Sequence, residues 1–202
     1  MRLSNPTLSD YRILCPARKE PHEVNKRIYI SGASGAGVST LGAALAAKLQ
    51  VPHFDVDDYY WYPTEPPFER SRPPAERVDL LNRSLADGQW VLSGSLDGWG
   101  DEVIQSSNLV VFVDTPTLLR VERLKARESQ RYGQRILPGG DMHANHLAFL
   151  AWAEGYESGA QAGRSRPRHE QWLKQLTLPS VRVSGELPIE SLLAVVIAAI
   201  PN

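Results

Sequence analysis

Hydrophobic positions divide the chain into short strands that alternate with longer helices. Short apolar or β-branched runs, typical of buried strands, occupy residues 28–31, 51–55, 90–93, 109–113 and 181–184. Helical patterns predict helices over residues 38–49, 74–87, 142–156, 170–176 and 188–200, and a long helix from about residue 117. The alternation predicts an α/β fold, a three-layer α/β/α arrangement around a five-stranded parallel sheet.

The bulk properties fit one folded domain and exclude several classes of protein. Hydrophobic residues make up 42% of the 202 residues and charged residues 22%, which is typical of a globular protein. The net charge of −1 gives no overall attraction to nucleic acid or membranes, and the apolar run 192–200 is too short to span a bilayer. The single cysteine, Cys15, excludes a disulfide within the chain and favours the cytoplasm. We expect an N-terminal extension over residues 1–26 and a single domain over residues 27–202.

The most informative stretch is the glycine-rich loop between the first strand and the first helix. Gly32 and Gly37 occupy the two glycine positions of the pattern G-x-x-x-x-G-K-[ST], and Ser39 occupies its hydroxyl position. In such a loop the backbone N–H groups and the positive end of the following helix face an anion. We therefore predict a phosphate-binding loop formed by Gly32, Ala33, Ser34, Gly35, Ala36, Gly37, Val38, Ser39 and Thr40.

The lysine position of this pattern holds Val38, which brings no charge to a β- or γ-phosphate. The loop therefore predicts phosphate binding, and phosphoryl transfer only if positive charge comes from elsewhere. One alternative is a dinucleotide-binding G-x-G-x-x-G loop that begins at Gly35, with Asp55 or Asp57 as the ribose-binding acid. That alternative leaves Gly32 unexplained. An ordinary glycine-rich turn is the second alternative.

Four motifs together resemble the P-loop small-molecule kinases, the group that contains adenylate, shikimate and gluconate kinases. They are the phosphate-binding loop, the acidic run 55–58, the turn Ser93–Gly94 after the third strand, and the arginines before the glycine break at 133–140. More narrowly, residues 32–35, 53–58, 90–95 and 136–141 together are similar to bacterial adenylate kinase-like or topology-modulation-like proteins. The resemblance covers about residues 27–200 and implies a P-loop NTPase fold, ATP and Mg²⁺ as cofactors, and a lid segment around residues 120–168.

Acidic and hydroxyl side chains supply the candidates for chemistry. Asp57 is the candidate base or anchor for a substrate hydroxyl, because the carboxyl ends of parallel strands form the ligand-binding edge of a sheet. Ser39 is the candidate Mg²⁺ ligand, and Asp55 is expected to help hold the ion through water. A solvated strand end and a serine at a helix N-terminus are the alternative interpretations.

Arginines are the candidates for the charge that Val38 lacks. Arg123, Arg127 and Arg131 recur along one predicted helix, and the planar guanidinium donates two parallel hydrogen bonds to a phosphate. Arg127 and Arg131 are favoured because they lie nearer the glycine break, whereas a solvated helix face is the alternative. Arg120 is expected to be structural, and the basic string at 164–168 is interpreted as an ordinary surface loop.

The acceptor side is expected to combine aromatic residues with the turn after the third strand. The candidate substrate residues are Asp57, Tyr60, Trp61, Gly94, Ser95 and Trp99. We predict a kinase that transfers the γ-phosphoryl group of ATP to a small metabolite or nucleotide, acting as a monomer or homodimer without nucleic-acid or membrane partners. A nucleotide-binding sensor without turnover and an NAD(P)-binding oxidoreductase are the alternative functions.

Overall fold

Five parallel strands form the centre of the protein, in the order β2-β3-β1-β4-β5. The computed structural model describes residues 26–86, 88–160 and 162–201, so residues 1–25 of the predicted N-terminal extension lie outside the described part. The strands are β1 (Arg27–Gly32), β2 (His53–Asp55), β3 (Trp90–Ser93), β4 (Leu109–Asp114) and β5 (Ser180–Ser184). The predicted α/β fold with a five-stranded parallel sheet is confirmed.

Helices connect the strands and cover both faces of the sheet. They are α1 (Val38–Leu49), α2 (Val56–Tyr60), α3 (Pro74–Leu85), α4 (Asp101–Gln105), α5 (Thr117–Tyr132), α6 (His143–Glu154), α7 (Arg166–Gln175) and α8 (Ile189–Ala198), with a 3₁₀ helix at Gly133–Ile136. None of the described helices is long and apolar enough to cross a membrane.

Three short helices were not predicted, because each is too short to display a helical period. The first is α2, where the Asp55 side chain accepts a hydrogen bond from the Asp57 backbone N–H at 3.0 Å and caps the helix. The second is α4, and the third is the 3₁₀ helix. The seventh helix also begins earlier than predicted, at Arg166, because the Ser165 side chain caps it. Asp57 therefore lies in the first turn of a helix rather than at the end of a strand.

The sheet buries a separate hydrophobic core on each face. Ile28 and Ile30 of β1 pack on one face with residues of α1 and α8, whereas Tyr29 packs on the opposite face with residues of α3 and α4. This alternation follows from the two-residue period of a strand. The run Leu109–Asp114 is buried along nearly its whole length, as the unbroken apolar sequence predicted.

The strand order distinguishes between two of the alternative functions. β1 lies between β3 and β4, whereas the dinucleotide-binding order pairs the first strand with the second. The fold therefore argues against the oxidoreductase alternative. Because all five strands are parallel, their carboxyl ends share one edge of the sheet, and the candidate residues near Gly32, Asp55 and Ser93 meet there.

Candidate functional site

The glycine-rich loop curls at the carboxyl end of β1 and leads directly into α1. Gly35 and Gly37 adopt positive φ angles of 80° and 99°, and the Ala36 N–H donates to the Ala33 carbonyl at 3.0 Å. Left-handed residues in such a sequence turn successive N–H groups toward a common concave side. Ser39 and Thr40 lie exposed in the first turn of α1. This geometry is suited to an anion at the positive end of the helix.

The loop packs tightly against its neighbours, and this leaves no space for side chains at two of its glycines. A Cβ atom on Gly32 would lie 2.6 Å from the Val113 carbonyl oxygen. A Cβ atom on Gly35 would lie 2.6 Å from the Arg120 carbonyl oxygen and 3.0 Å from the Leu124 Cγ atom. The N-terminal half of α5 therefore supports the loop from behind.

We expect Gly35→Ala to destabilise the protein by about 2–5 kcal/mol, because a positive φ and a steric clash both oppose the new methyl group. The matched control is Gly139→Ala: Gly139 has a φ of 90°, but a Cβ atom placed there would have no neighbouring atom within 4 Å. That control should lose only about 1–2 kcal/mol. Urea unfolding of both variants measures the difference, and equal losses would contradict the described packing.

Val38 contributes packing rather than charge. Its side chain is partly buried against the core cluster that joins β1, α1 and α8. Its Cγ2 atom would lie 3.1 Å from a Cβ placed on Gly32. A valine in this position stabilises the base of the loop, and any cation that neutralises a bound phosphate must come from another element.

The arginines of α5 divide into two pairs. Arg120 is fully buried and donates to the carbonyls of Ser34 at 3.1 Å and Thr115 at 3.2 Å. Arg123 donates to the Gly185 carbonyl at 2.9 Å and to the Ala36 carbonyl at 3.4 Å. The contacts of Arg120 support the structural role expected for it. Arg123 is a candidate catalytic residue, but its guanidinium is occupied by hydrogen bonds to main-chain carbonyls.

The second pair consists of Arg127 and Arg131, which are exposed. Within the described part of the chain, neither forms a hydrogen bond or an ion pair at contact distance. Partial burial of the Arg127 guanidinium and the neighbouring Arg131 lower the pKa of Arg127, whereas Glu128 and Asp57 oppose the fall. Arg127 thus lies within electrostatic range of Asp57, and Arg131 lies within electrostatic range of Arg127.

Asp57 is an acidic residue on another helix that lies within electrostatic range of Arg127. The residue remains open to solvent, but partial burial and the adjacent Asp55 raise its pKa, while Arg164 and Arg127 oppose the rise. Asp57 and Arg127 therefore lie within electrostatic range of each other, without a direct contact between them in the described residues. Arg164 also lies within electrostatic range of Asp57, although the sequence pattern had predicted an ordinary basic loop for it.

The three arginines of that basic string have different environments. Arg166 pairs with Asp114 at 2.8 Å and with Glu157. Arg168 pairs with Asp97 at 2.9 Å. Arg164 has no carboxylate partner at ion-pair distance among the described residues, and its Cζ atom lies 5.2 Å from the centre of the Trp152 ring. Arg164 therefore differs from Arg166 and Arg168 because the fold places no carboxylate beside it among the described residues.

The candidate aromatic residues cluster around a buried arginine that the sequence pattern did not predict. The Cζ atom of Arg77 lies 3.6 Å from the centre of the Tyr60 ring and 5.3 Å from that of Trp99, and the residue is 7% exposed. The rings of Tyr60 and Trp61 are 4.7 Å apart. One face of Tyr60 is therefore occupied by Arg77, which leaves the remaining surfaces of the cluster for a substrate.

The turn after β3 is fixed by its neighbours. Gly94 has a φ of 129°, and a Cβ atom there would lie 2.6 Å from the Val56 Cβ atom of α2. The Tyr29 hydroxyl donates to the Gly94 carbonyl at 3.1 Å, and the Ser95 hydroxyl accepts from the Asp97 N–H at 3.4 Å. These contacts hold Gly94 and Ser95 beside α2, the helix that carries Asp57.

The phosphate-binding loop and Asp57 lie on opposite sides of that turn. Asp55 pairs in register with Ser93, and Ser93 pairs with Ile30. Two strand spacings, about 10 Å, therefore separate the end of β2 from β1. This separation leaves space for a phosphoryl donor on one side and an acceptor on the other, and it allows Asp55 to reach a metal at the loop only through water.

No group of three or more His, Cys, Asp or Glu residues in the described part of the chain could hold a metal by itself. Asp141 pairs with Arg135 at 2.7 Å, and His146 pairs with Glu128 at 2.7 Å. Arg135 also pairs with Glu65, which joins the predicted lid segment to the loop after α2. A magnesium ion at Ser39 would therefore depend on nucleotide oxygens and water for its remaining ligands.

No family model matches the chain. It is 41% identical over 167 residues to the uncharacterized protein YqaC of Bacillus subtilis strain 168, an alignment that covers 82% of this chain and 92% of YqaC. The chain belongs to the YqaC family.

Two solved structures show which fold this YqaC-family member has. The shikimate kinase from Bacteroides thetaiotaomicron matches with a TM-score of 0.55 and 23% identity, over 86% of this chain and 97% of that structure. A gluconokinase from Sinorhizobium meliloti 1021 matches with a TM-score of 0.50 and 19% identity, over 87% and 91%. The predicted P-loop small-molecule kinase-like fold is confirmed. The narrower resemblance to adenylate kinase-like proteins stays a prediction.

Proposed function

We propose that this YqaC-family protein is an ATP-dependent kinase that transfers the γ-phosphoryl group to a small metabolite or nucleotide. The observation that carries the proposal is the arrangement of charge at the carboxyl edge of the sheet. Arg127 and Arg164 lie within electrostatic range of Asp57 and have no carboxylate partner at contact distance in the described residues. Phosphoryl transfer depends mainly on positioning and charge neutralisation, which such a set of cations supplies.

In the proposed reaction, the loop amides and the N-terminus of α1 bind the phosphates of ATP. Ser39 would hold Mg²⁺, with Asp55 acting through water, and its exposed hydroxyl in the first turn of α1 fits that role. Bound Mg²⁺ would neutralise part of the phosphate charge. Arg127 and Arg131 would neutralise the transferred group, in place of the lysine that Val38 replaces.

Asp57 would accept the proton of the attacking hydroxyl or, for a phosphate acceptor, orient the acceptor. Its raised pKa favours the first role, because a carboxylate of higher pKa is the stronger base. Gly94, Ser95 and the cluster of Tyr60, Trp61 and Trp99 would form the acceptor side. Arg164 would bind an anionic group of the acceptor or a phosphate of the donor.

One observation favours a second candidate, a nucleotide-binding sensor without turnover. Val38 is packed into the core rather than turned into the phosphate site, so the loop itself offers no cation for catalysis. In this case ATP would bind through the backbone amides, and Arg127 and Arg131 would report the bound state by closing over it.

The test is a binding and turnover screen with the full chain. ATP binding is measured by calorimetry, and Mg²⁺-dependent ADP release is measured with sugars, sugar acids, nucleosides and nucleoside monophosphates as acceptors. The kinase proposal expects ATP binding and acceptor-stimulated ADP release. Absence of binding at millimolar ATP would overturn it, and tight binding without transfer across the panel would favour the sensor.

Ser39→Ala is expected to weaken binding of Mg²⁺-ATP by about 10-fold, the cost of one charge-assisted contact. Binding of ATP in the presence of a chelator should change by less than about 2-fold, because the hydroxyl contacts the ion rather than the phosphate. Thr40→Ala is the comparison: it removes the neighbouring exposed hydroxyl of the same loop, which is not assigned to the metal, so any loss of ATP affinity should be the same with and without Mg²⁺. Equal losses with and without Mg²⁺ would contradict the metal role of Ser39 and leave it as a phosphate contact.

A further inference from the structure

Carbonyl groups on the back of the phosphate-binding loop accept hydrogen bonds from buried side chains of the segment after β4. The Thr115 hydroxyl donates to the Ala36 carbonyl at 3.0 Å, and the residue is 2% exposed. The fully buried Arg120 donates through its Nη1 atom to the Ser34 carbonyl at 3.1 Å. Neither side chain is placed to accept or transfer a proton in the proposed reaction.

The direction of these carbonyls fixes the direction of the amides that follow them. A trans peptide group is planar, so its C=O and N–H bonds point in opposite directions. Holding the Ala36 carbonyl backwards therefore points the Gly37 N–H toward the concave side of the loop, and holding the Ser34 carbonyl does the same for the Gly35 N–H. Among the described residues, neither of these two amides has a hydrogen-bond acceptor.

Arg120 also brings a buried positive charge to the back of the loop. Its Nη2 atom donates to the Thr117 hydroxyl at 2.8 Å, and the nearest carboxylate, that of Glu157, lies 3.9 Å away. Its other hydrogen-bond acceptors are neutral main-chain carbonyls, which leave its charge only partly compensated. A charge inside the protein acts over a longer range than one in water, because the surroundings screen it less.

From these contacts we infer that Thr115 and Arg120 are positioning residues that preorganise the Gly35 and Gly37 amides for a polyphosphate. They compensate in part for the missing lysine, because amides already fixed toward the anion bind it without reorganising. This inference rests on the proposed phosphate binding of the loop. It assigns the segment that follows β4 a role in ligand affinity besides its role in folding.

The test uses Thr115→Val, which removes the hydroxyl and keeps the volume, because replacing the buried Arg120 risks unfolding the protein. Binding of inorganic tripolyphosphate to the full chain is measured by calorimetry without Mg²⁺. The amide signals of Gly35 and Gly37 are followed by NMR during the same titration. Thr115→Ser is the conservative variant. Ser107→Ala is the matched control, because Ser107 also donates its buried hydroxyl to a carbonyl, that of Ile104 at 2.6 Å.

Thr115→Val is expected to lower tripolyphosphate affinity about 3- to 10-fold, the value of one neutral hydrogen bond. The shifts of the two glycine amides on binding should shrink, and Thr115→Ser should restore both properties. Ser107→Ala should lose stability and keep its affinity. Unchanged affinity and unchanged amide shifts in Thr115→Val would overturn the inference and leave phosphate binding intact. Absence of tripolyphosphate binding to the unaltered chain would overturn both this inference and the proposed function.

Discussion

Replacing Asp57 with asparagine is expected to lower kcat by about 10²–10⁴-fold, the usual contribution of a general base. Asparagine keeps the size of the side chain and its hydrogen bonding but accepts no proton. The Kd for ATP should stay within about 2-fold of the unaltered value, because β2 and the phosphate-binding loop are separated by the intervening strand β3. Acceptor-dependent ADP release and calorimetry measure the two quantities.

The same substitution should leave stability unchanged or raise it. Burial and Asp55 raise the pKa of Asp57, so the folded protein binds this proton more tightly than the unfolded chain does. At pH values above the folded pKa the carboxylate is charged at a cost to folding, and asparagine removes that cost. We therefore expect the Tm at neutral pH to be equal or higher, and the acid limb of the kcat profile to lie above the ordinary pKa of aspartate in the unaltered protein.

Asp58→Asn is the control for this substitution, because Asp58 lies beside Asp57 in the first turn of α2 and is also exposed. It should retain most of the activity. Full activity in Asp57→Asn would remove Asp57 from the mechanism. A large loss of activity together with a lower Tm would point to a structural role.

The parts of the fold that the sequence predicted are those with strong local signals. The apolar run at 109–113 and the leucine pattern of α1 need no distant partner to be recognised. The glycine-rich loop is recognised for a similar reason, since the glycines and hydroxyl residues that mark it lie close together in the chain. The side chains that hold its carbonyls, Thr115 and Arg120, come from a distant segment and have no such signal. The helix α2 was missed because its five residues are fixed by a single cap at Asp55 rather than by a repeating pattern.

The parts of the site that the sequence did not predict depend on contacts between distant segments. Arg164 and Arg166 belong to one basic string, but Asp114 and Glu157 neutralise only Arg166. Arg77 is buried because Tyr60 and Trp99 close over it. No spacing rule along the chain distinguishes a paired arginine from an unpaired one, because the pairing acid lies on another element.

The arginines of α5 have different contacts because they lie at different positions along the helix. Arg120 and Arg123 lie near the start of the helix, where they reach carbonyls of the loop. A helix rises about 1.5 Å per residue, so Arg127 lies about 6 Å beyond Arg123, and Arg131 lies about 6 Å farther again. That displacement places Arg127 and Arg131 beyond the loop carbonyls that Arg120 and Arg123 reach, and Arg127 lies within electrostatic range of Asp57.

Arg127→Met is the second substitution with a large expected effect, a loss of about 10²–10³-fold in kcat with a smaller change in the Kd for ATP. Methionine keeps the apolar stem and removes the guanidinium, so charge developing on the transferred group would lack its partner. The control is Lys125→Met, which removes an exposed positive charge from the same helix and should keep kcat within about 2-fold, the size of an exposed electrostatic contribution.

A second substitution, Val38→Lys, tests whether activity depends on the positive charge itself or on its position at Arg127. If Arg127 replaces the missing lysine, Val38→Lys should recover part of the activity of Arg127→Met and should add little to the unaltered protein, whose charge is already supplied. Replacing the partly buried Val38 also removes packing from the core, so the Tm of each variant is measured alongside kcat. Recovery of activity at a lowered Tm would support compensation by arginine. A large rise in kcat from Val38→Lys alone, with no loss in Arg127→Met, would show instead that the phosphate site lacks the charge we assign to Arg127.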